Sequence, residues 1–74
     1  MLSQQQHSAL CAIKDWKAPF EVAAILYPSG STIPQRKKVA QALRELHAEG
    51  LIELNAPQNT YRRTDKGSSA LAGQ

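Results

Sequence analysis

The sequence predicts one mainly helical α+β domain, with three helices followed by a two-stranded β-hairpin. Apolar residues recur at helical spacing in three stretches before Gly50, and prolines and glycines punctuate them. After Gly50 the apolar spacing changes to alternation, the pattern of a half-buried strand. A chain of 74 residues has room for a single core and little for a deep cleft. Its 42% apolar and 20% charged residues are the balance of a folded domain rather than a disordered chain.

Ser3 and Gln6 have capping-box spacing, and Ala9, Leu10, Ile13 and Trp16 then recur at helical intervals. A first helix is expected over about residues 4–15, with Trp16 in the core and Cys11 as a small buried apolar residue. Pro19 suits the first turn of a second helix over about residues 20–26, and Glu21 lies near its positive end. No Ser, Thr, Asp or Asn caps that start. The second helix is apolar on nearly every side: Phe20, Ala23, Ala24 and Tyr27 form one stripe, while Val22 and Ile25 point elsewhere. Such a helix is deeply buried or has a second partner, so Val22 and Ile25 are a candidate partner or dimer patch. Tyr27-Pro28-Ser29-Gly30 reads as a turn.

The third helix is the best defined. Thr32 and Gln35 repeat the capping-box spacing, Pro34 falls in the first turn, and Gly50 supplies the left-handed residue that helix ends favour. Val39, Ala42, Leu43 and Leu46 share one face. Lys37, Gln41 and Arg44 lie opposite, flanked by Lys38 and Glu45. Residues 51–54 read as a strand, 55–59 with Pro57 as a turn, and 60–63 as the returning strand. Thr64-Asp65 has the chemistry of a helix cap, but Gly67, Ser68 and Ser69 weaken any helix there. The core is therefore expected to span about 3–66, with 67–74 frayed, and no repeat or linker divides the chain.

Charge is unevenly spread. The formal charge is zero over residues 1–32, +2 over 33–49 and +1 over 50–74. The excess lies in two clusters, Arg36 to Arg44 and Arg62 to Lys66. Clusters of this kind grip a polyanion if folding brings them together.

The run Val39-Ala40-Gln41-Ala42-Leu43-Arg44-Glu45-Leu46-His47-Ala48-Glu49-Gly50-Leu51-Ile52 resembles the recognition helix and first wing strand of winged helix-turn-helix regulators of the MarR and PadR kind. Those families have two leucines one turn apart, then an acidic residue, glycine and an apolar pair. Tyr61-Arg62-Arg63-Thr64-Asp65-Lys66-Gly67 is similar to their second wing strand and its exit, commonly Tyr-Arg-Leu-Thr-x-x-Gly. The resemblance is carried by residues 39–52 and 61–67. It departs from pattern at Arg63, where an apolar residue is usual, in a short wing loop, and in lacking the long dimerisation helices of MarR-type proteins.

The resemblance implies a small transcriptional regulator that binds double-stranded DNA, with the third helix in the major groove and the wing on the backbone or in the minor groove. Gln41 and Arg44 are the expected base contacts, since glutamine matches adenine and arginine matches guanine. Gln35, Arg36, Lys37 and Lys38 near the helix start suit phosphates or nearby bases, and Arg62 and Arg63 suit the backbone or minor groove. Two other classes fit the same residues. One is a winged-helix protein-interaction adaptor using the second helix. The other is an RNA-binding or replication-associated module using the basic face. A homodimer remains open, because operators are commonly read by two copies.

Other chemistry has little support. His7 and His47 lack a Cys or carboxylate set at ligand spacing, and no glycine-rich phosphate loop or nucleophile–base pair is recognisable. No enzyme activity, small-molecule substrate, cofactor or metal is expected. The lone Cys11 excludes an internal disulfide and fits a reducing compartment. The polar start lacks the features of a signal peptide, and the longest apolar stretch, 22–27, is too short to span a bilayer. A cytoplasmic protein without membrane partners is expected, resembling small phage or plasmid regulators in size.

Overall fold

Three of the four helices among the described residues begin where a side chain satisfies one of their first free amides. In the computed structural model, which describes residues 2–73, Ser3 Oγ accepts from the Gln6 N–H at 3.1 Å and Gln6 Oε1 accepts from the Ser3 N–H at 3.0 Å. That capping box opens α1 (Gln4–Ala12). The helix is shorter than its apolar spacing predicts. Ile13 leaves helical geometry at φ −95 and ψ 75, which frees the following residues to run beside the hairpin. There Lys17 exchanges two backbone hydrogen bonds with Tyr61, at 2.9 and 2.8 Å.

α2 (Pro19–Leu26) has alanine at its cap, and only the Glu21 half of a capping arrangement forms: Glu21 Oε1 accepts from the Ala18 N–H at 2.9 Å. α3 (Ile33–Ala48) opens with the Thr32–Gln35 box complete, at 3.3 and 2.8 Å. It closes at Gly50, whose φ of 75 only glycine adopts without strain. The Gly50 N–H donates to the His47 carbonyl and the Leu51 N–H to the Leu46 carbonyl, both at 3.0 Å. These paired bonds make a Schellman end, and its usual apolar contact is present as buried Leu46 and Leu51.

The chain then enters β1 (Ile52–Asn55), which pairs antiparallel with β2 (Thr60–Arg63); Ile52 lies opposite Arg63 and Leu54 opposite Tyr61. The expected fraying after residue 66 does not occur. A fourth helix, α4 (Asp65–Ala72), follows at once, capped by Thr64 Oγ1 accepting from the Gly67 N–H at 3.1 Å. The architecture among the described residues is thus a mixed α+β fold of four helices and one two-stranded sheet, rather than three helices and a hairpin.

Gly67 explains the correction. It reads as a helix breaker, yet it is buried where the first turn of α4 lies against the Leu51 backbone. A Cβ built there would collide with the Leu51 carbonyl oxygen and lie 2.9 Å from Arg63 Cγ. Glycine is required by closeness, not by flexibility.

The core draws Ala9, Leu10 and Ile13 from around α1, Val22 and Ala23 from α2, and Val39, Ala42, Leu43 and Leu46 from α3, closed by Leu51 and Ile52. α2 therefore turns inward on the Val22–Ala23 side and leaves Phe20 74% and Ile25 49% exposed. Val22 is completely buried, so it leaves the candidate partner patch; the outer face of α2 is formed by Phe20, Ala24 and Ile25. Trp16 is half-buried rather than a core residue, and Cys11 is exposed because α1 turns that position away from its buried Ala9–Leu10 side. No helix among the described residues is long and apolar enough to cross a membrane.

Gly67→Ala is expected to lower the unfolding free energy by about 1–3 kcal/mol through overpacking against backbone that cannot retreat. Gly73→Ala, where a Cβ would be 3.6 Å from its nearest neighbour, is expected to stay within about 0.5 kcal/mol. Urea unfolding of the two variants beside the parent checks both.

Candidate nucleic-acid interface

α3 is held at both ends and buries Val39, Ala42, Leu43 and Leu46, which leaves its opposite face to solvent. Arg36, Lys37, Lys38, Gln41 and Arg44 are all exposed on it. Gln35, expected beside them, is half-buried, and its amide oxygen is occupied by the Thr32 N–H. Among the described residues the one ion pair joins Arg62 to Glu53, at 2.7 Å. The four cations of α3 thus lie without an ion-pair partner. Three of them fall in its first two turns, beside the positive end of the helix dipole, and no acidic residue occupies the first turn. That placement is unfavourable for the free protein, because like charge at a helix N-terminus is repelled.

The second basic cluster is largely absorbed into the structure. The Arg62 guanidinium carbon lies 4.8 Å from the Trp16 ring centroid, within cation–π range, while pairing with Glu53. Both partners remain nearly half exposed, at 47% and 44%, so the pair contributes no more than about 1 kcal/mol. Arg63 is half-buried and its Nη1 donates to the Leu10 carbonyl near the end of α1 at 3.2 Å. Of the eight residues expected to contact a polyanion, Arg63 is therefore a structural tie between hairpin and α1. The reason is its register opposite buried Ile52, which turns its side chain toward the helices. Lys66 donates to the Glu49 carbonyl at 2.8 Å, a cation on the negative end of α3.

The hairpin flanks the C-terminal half of α3. His47 meets Tyr61 edge-on, with centroids 6.3 Å apart and planes at 71°. Tyr61 packs against the core, as its place in the alternation predicts. Two side chains outside those eight, Gln6 and Glu45, are linked to this surface. Gln6 donates from Nε2 to Glu45 Oε1 at 2.9 Å, and Gln41 donates from Nε2 to Glu45 Oε2 at 3.4 Å. Gln6 is visible in the sequence only as a cap for α1; its contact with a residue 39 positions away has no local signal. Trp16 as a platform for Arg62 is hidden for the same reason. Among the described residues, no three His, Cys, Asp or Glu side chains gather as metal ligands.

Compared with models of known protein families, with curated proteins and with solved structures, the chain gives no match.

The division between structural and free cations is measurable without any ligand. Arg63→Met is expected to lose about 1–2 kcal/mol of stability, since the Leu10 carbonyl forfeits a charged donor. Lys37→Ala on the free face is expected to stay within about 0.5 kcal/mol. Thermal unfolding followed by circular dichroism separates them.

Proposed function

We propose that this chain is a small winged helix-turn-helix regulator that binds double-stranded DNA in the cytoplasm, with α3 in the major groove and the hairpin as its wing. The observation that carries the reading is the row of four unpaired cations on α3, three of them close to a helix end that repels them. A duplex offers those charges phosphates and the helix amides an anion, so both unfavourable terms are relieved on binding. The short turn between α2 and α3, and the hairpin flanking α3, fit the order of elements in this class.

Arg36, Lys37 and Lys38 suit phosphates beside the groove, and Gln41 and Arg44 suit base edges. Arg62 trades a weak surface pair for a phosphate at little cost, since Glu53 stays solvated. Arg63 leaves the contact set. Arg36, Lys37, Lys38 and Arg62 together meet about four phosphates, so log affinity falls with log salt at a slope of roughly −3 to −4.

An amide NMR titration of the full chain with a mixed-sequence duplex at low salt tests the reading. Shifts concentrated in residues 35–44 and 58–63, fading as salt rises, are expected. Lys37→Gln is expected to reduce the salt slope by about 1. No shifts at millimolar duplex would remove the DNA reading, and a stronger response to single strands or RNA would replace it with an RNA or replication-associated one.

A protein-docking role is favoured by one observation, the exposure of Phe20 and Ile25 on α2. If that surface joins two copies, sedimentation equilibrium gives a dimer that Phe20→Ser dissociates. If it does not, the parent sediments as a monomer.

A further inference from the structure

Gln6 belongs to α1, outside the surface expected to meet DNA, yet its side-chain amide is engaged at both its oxygen and its nitrogen. The Ser3 N–H can only donate, so Oε1 of Gln6 must face it, and the observed contact is 3.0 Å. That fixes the amide orientation and turns Nε2 toward α3. It donates there to Glu45 Oε1 at 2.9 Å, and the other carboxylate oxygen accepts from Gln41 Nε2 at 3.4 Å. A carboxylate only accepts, so the NH2 group of Gln41 is the end drawn toward Glu45. The chain of contacts from the Ser3 amide to the exposed Gln41 is therefore oriented at every link.

Gln41 keeps Oε1 and its second N–H free. One acceptor and one donor side by side are what the major-groove edge of adenine requires, with its N7 acceptor and N6 donor. A glutamine on a bare helix face turns among many rotamers, and holding it removes part of the ordering cost of a base contact. Glu45 needs its own restraint to do this. The exposed carboxylate has Arg44 beside it in sequence and Lys38 on the same flank of α3, and Gln6 ties it instead toward α1.

We propose that Gln6 is a positioning residue for base readout: through Glu45 it orients Gln41 to read an adenine in the major groove. This rests on the DNA-binding reading above. The relay itself is checked first in the free protein, where Gln6→Ala is expected to move the Gln41 side-chain amide resonances while the backbone spectrum stays folded.

Duplexes selected from a randomised pool by the full chain then locate the base pair whose preference Gln41→Ala weakens, by about fivefold or more for a bidentate contact. Gln6→Ala and Glu45→Gln are expected to weaken discrimination at that same base pair by at least threefold. Affinity for an unselected duplex is expected to hold for Gln6→Ala and to rise for Glu45→Gln, which removes a negative charge. Lost discrimination with gained affinity is a signature that a merely structural role of Glu45 does not produce. Glu45→Gln leaves the α1 cap intact, so it tests the proposal even if Gln6→Ala unfolds the chain. Discrimination kept within twofold in the folded variants would overturn the relay while leaving DNA binding standing. No duplex bound by the parent chain would overturn both.

Discussion

The structure depends most on how the chain leaves α3. A helix ends with carbonyls that have lost their partners, and here those of Glu49, Gly50 and Leu51 emerge in succession. Each is met by the segment that follows β2. Lys66 Nζ donates to the first and the Thr64 hydroxyl to the second, both at 2.8 Å, and the Thr64 N–H donates to the third at 3.1 Å. The same threonine hydroxyl accepts from the Gly67 N–H and so starts α4. Three neighbouring residues therefore satisfy the end of α3, close the hairpin and begin the last helix. The Thr-x-x-Gly run at 64–67 has a physical reason in each member: the hydroxyl as donor and acceptor at once, and the glycine as the only residue thin enough to cross Leu51.

That junction decides which way α3 faces. With its start fixed by the Thr32–Gln35 box and its end by the Schellman bonds and Thr64, the helix cannot roll to hide its outer side. Its four leucine, valine and alanine positions fill the core, and four cations are left facing water. A free helix gains nothing from cations near its N-terminus. Local rules broken in this way are expected at functional or strained sites.

Sequence reading succeeded where structure is decided locally. Both capping boxes, Pro34 in the first turn of α3, the left-handed Gly50 and the change to alternating spacing depend on residues within a few positions of one another. It failed where the deciding contact is distant. α1 ends early because Lys17 is recruited to bridge Tyr61 of β2, a pairing that no spacing in the first helix announces. α4 forms because Gly67 is pressed onto Leu51, although glycine and two serines argue against a helix. An all-round apolar α2 has no amphipathic stripe by which a wheel could orient it, so the roles of Val22 and Phe20 were interchanged. Cys11 and Trp16 went astray by residue type: average burial says little when one helix face is narrow.

The site was legible in outline for the same reason, and its internal division was not. Counting charges gives two basic clusters, four cations at 36–44 and three at 62–66. Folding makes them unlike. In the second, Lys66 is spent on a helix end, Arg63 on the Leu10 carbonyl, and Arg62 is balanced by Glu53 over the Trp16 ring. In the first, none of the cations has an acidic partner, and Glu45 beside them is tied up by two glutamines. The formal charge of +3 thus understates the contrast between the two surfaces. Arg63 and Lys66 tie neighbouring elements together and Arg62 is paired locally, which leaves α3 as the face with the stronger uncompensated field.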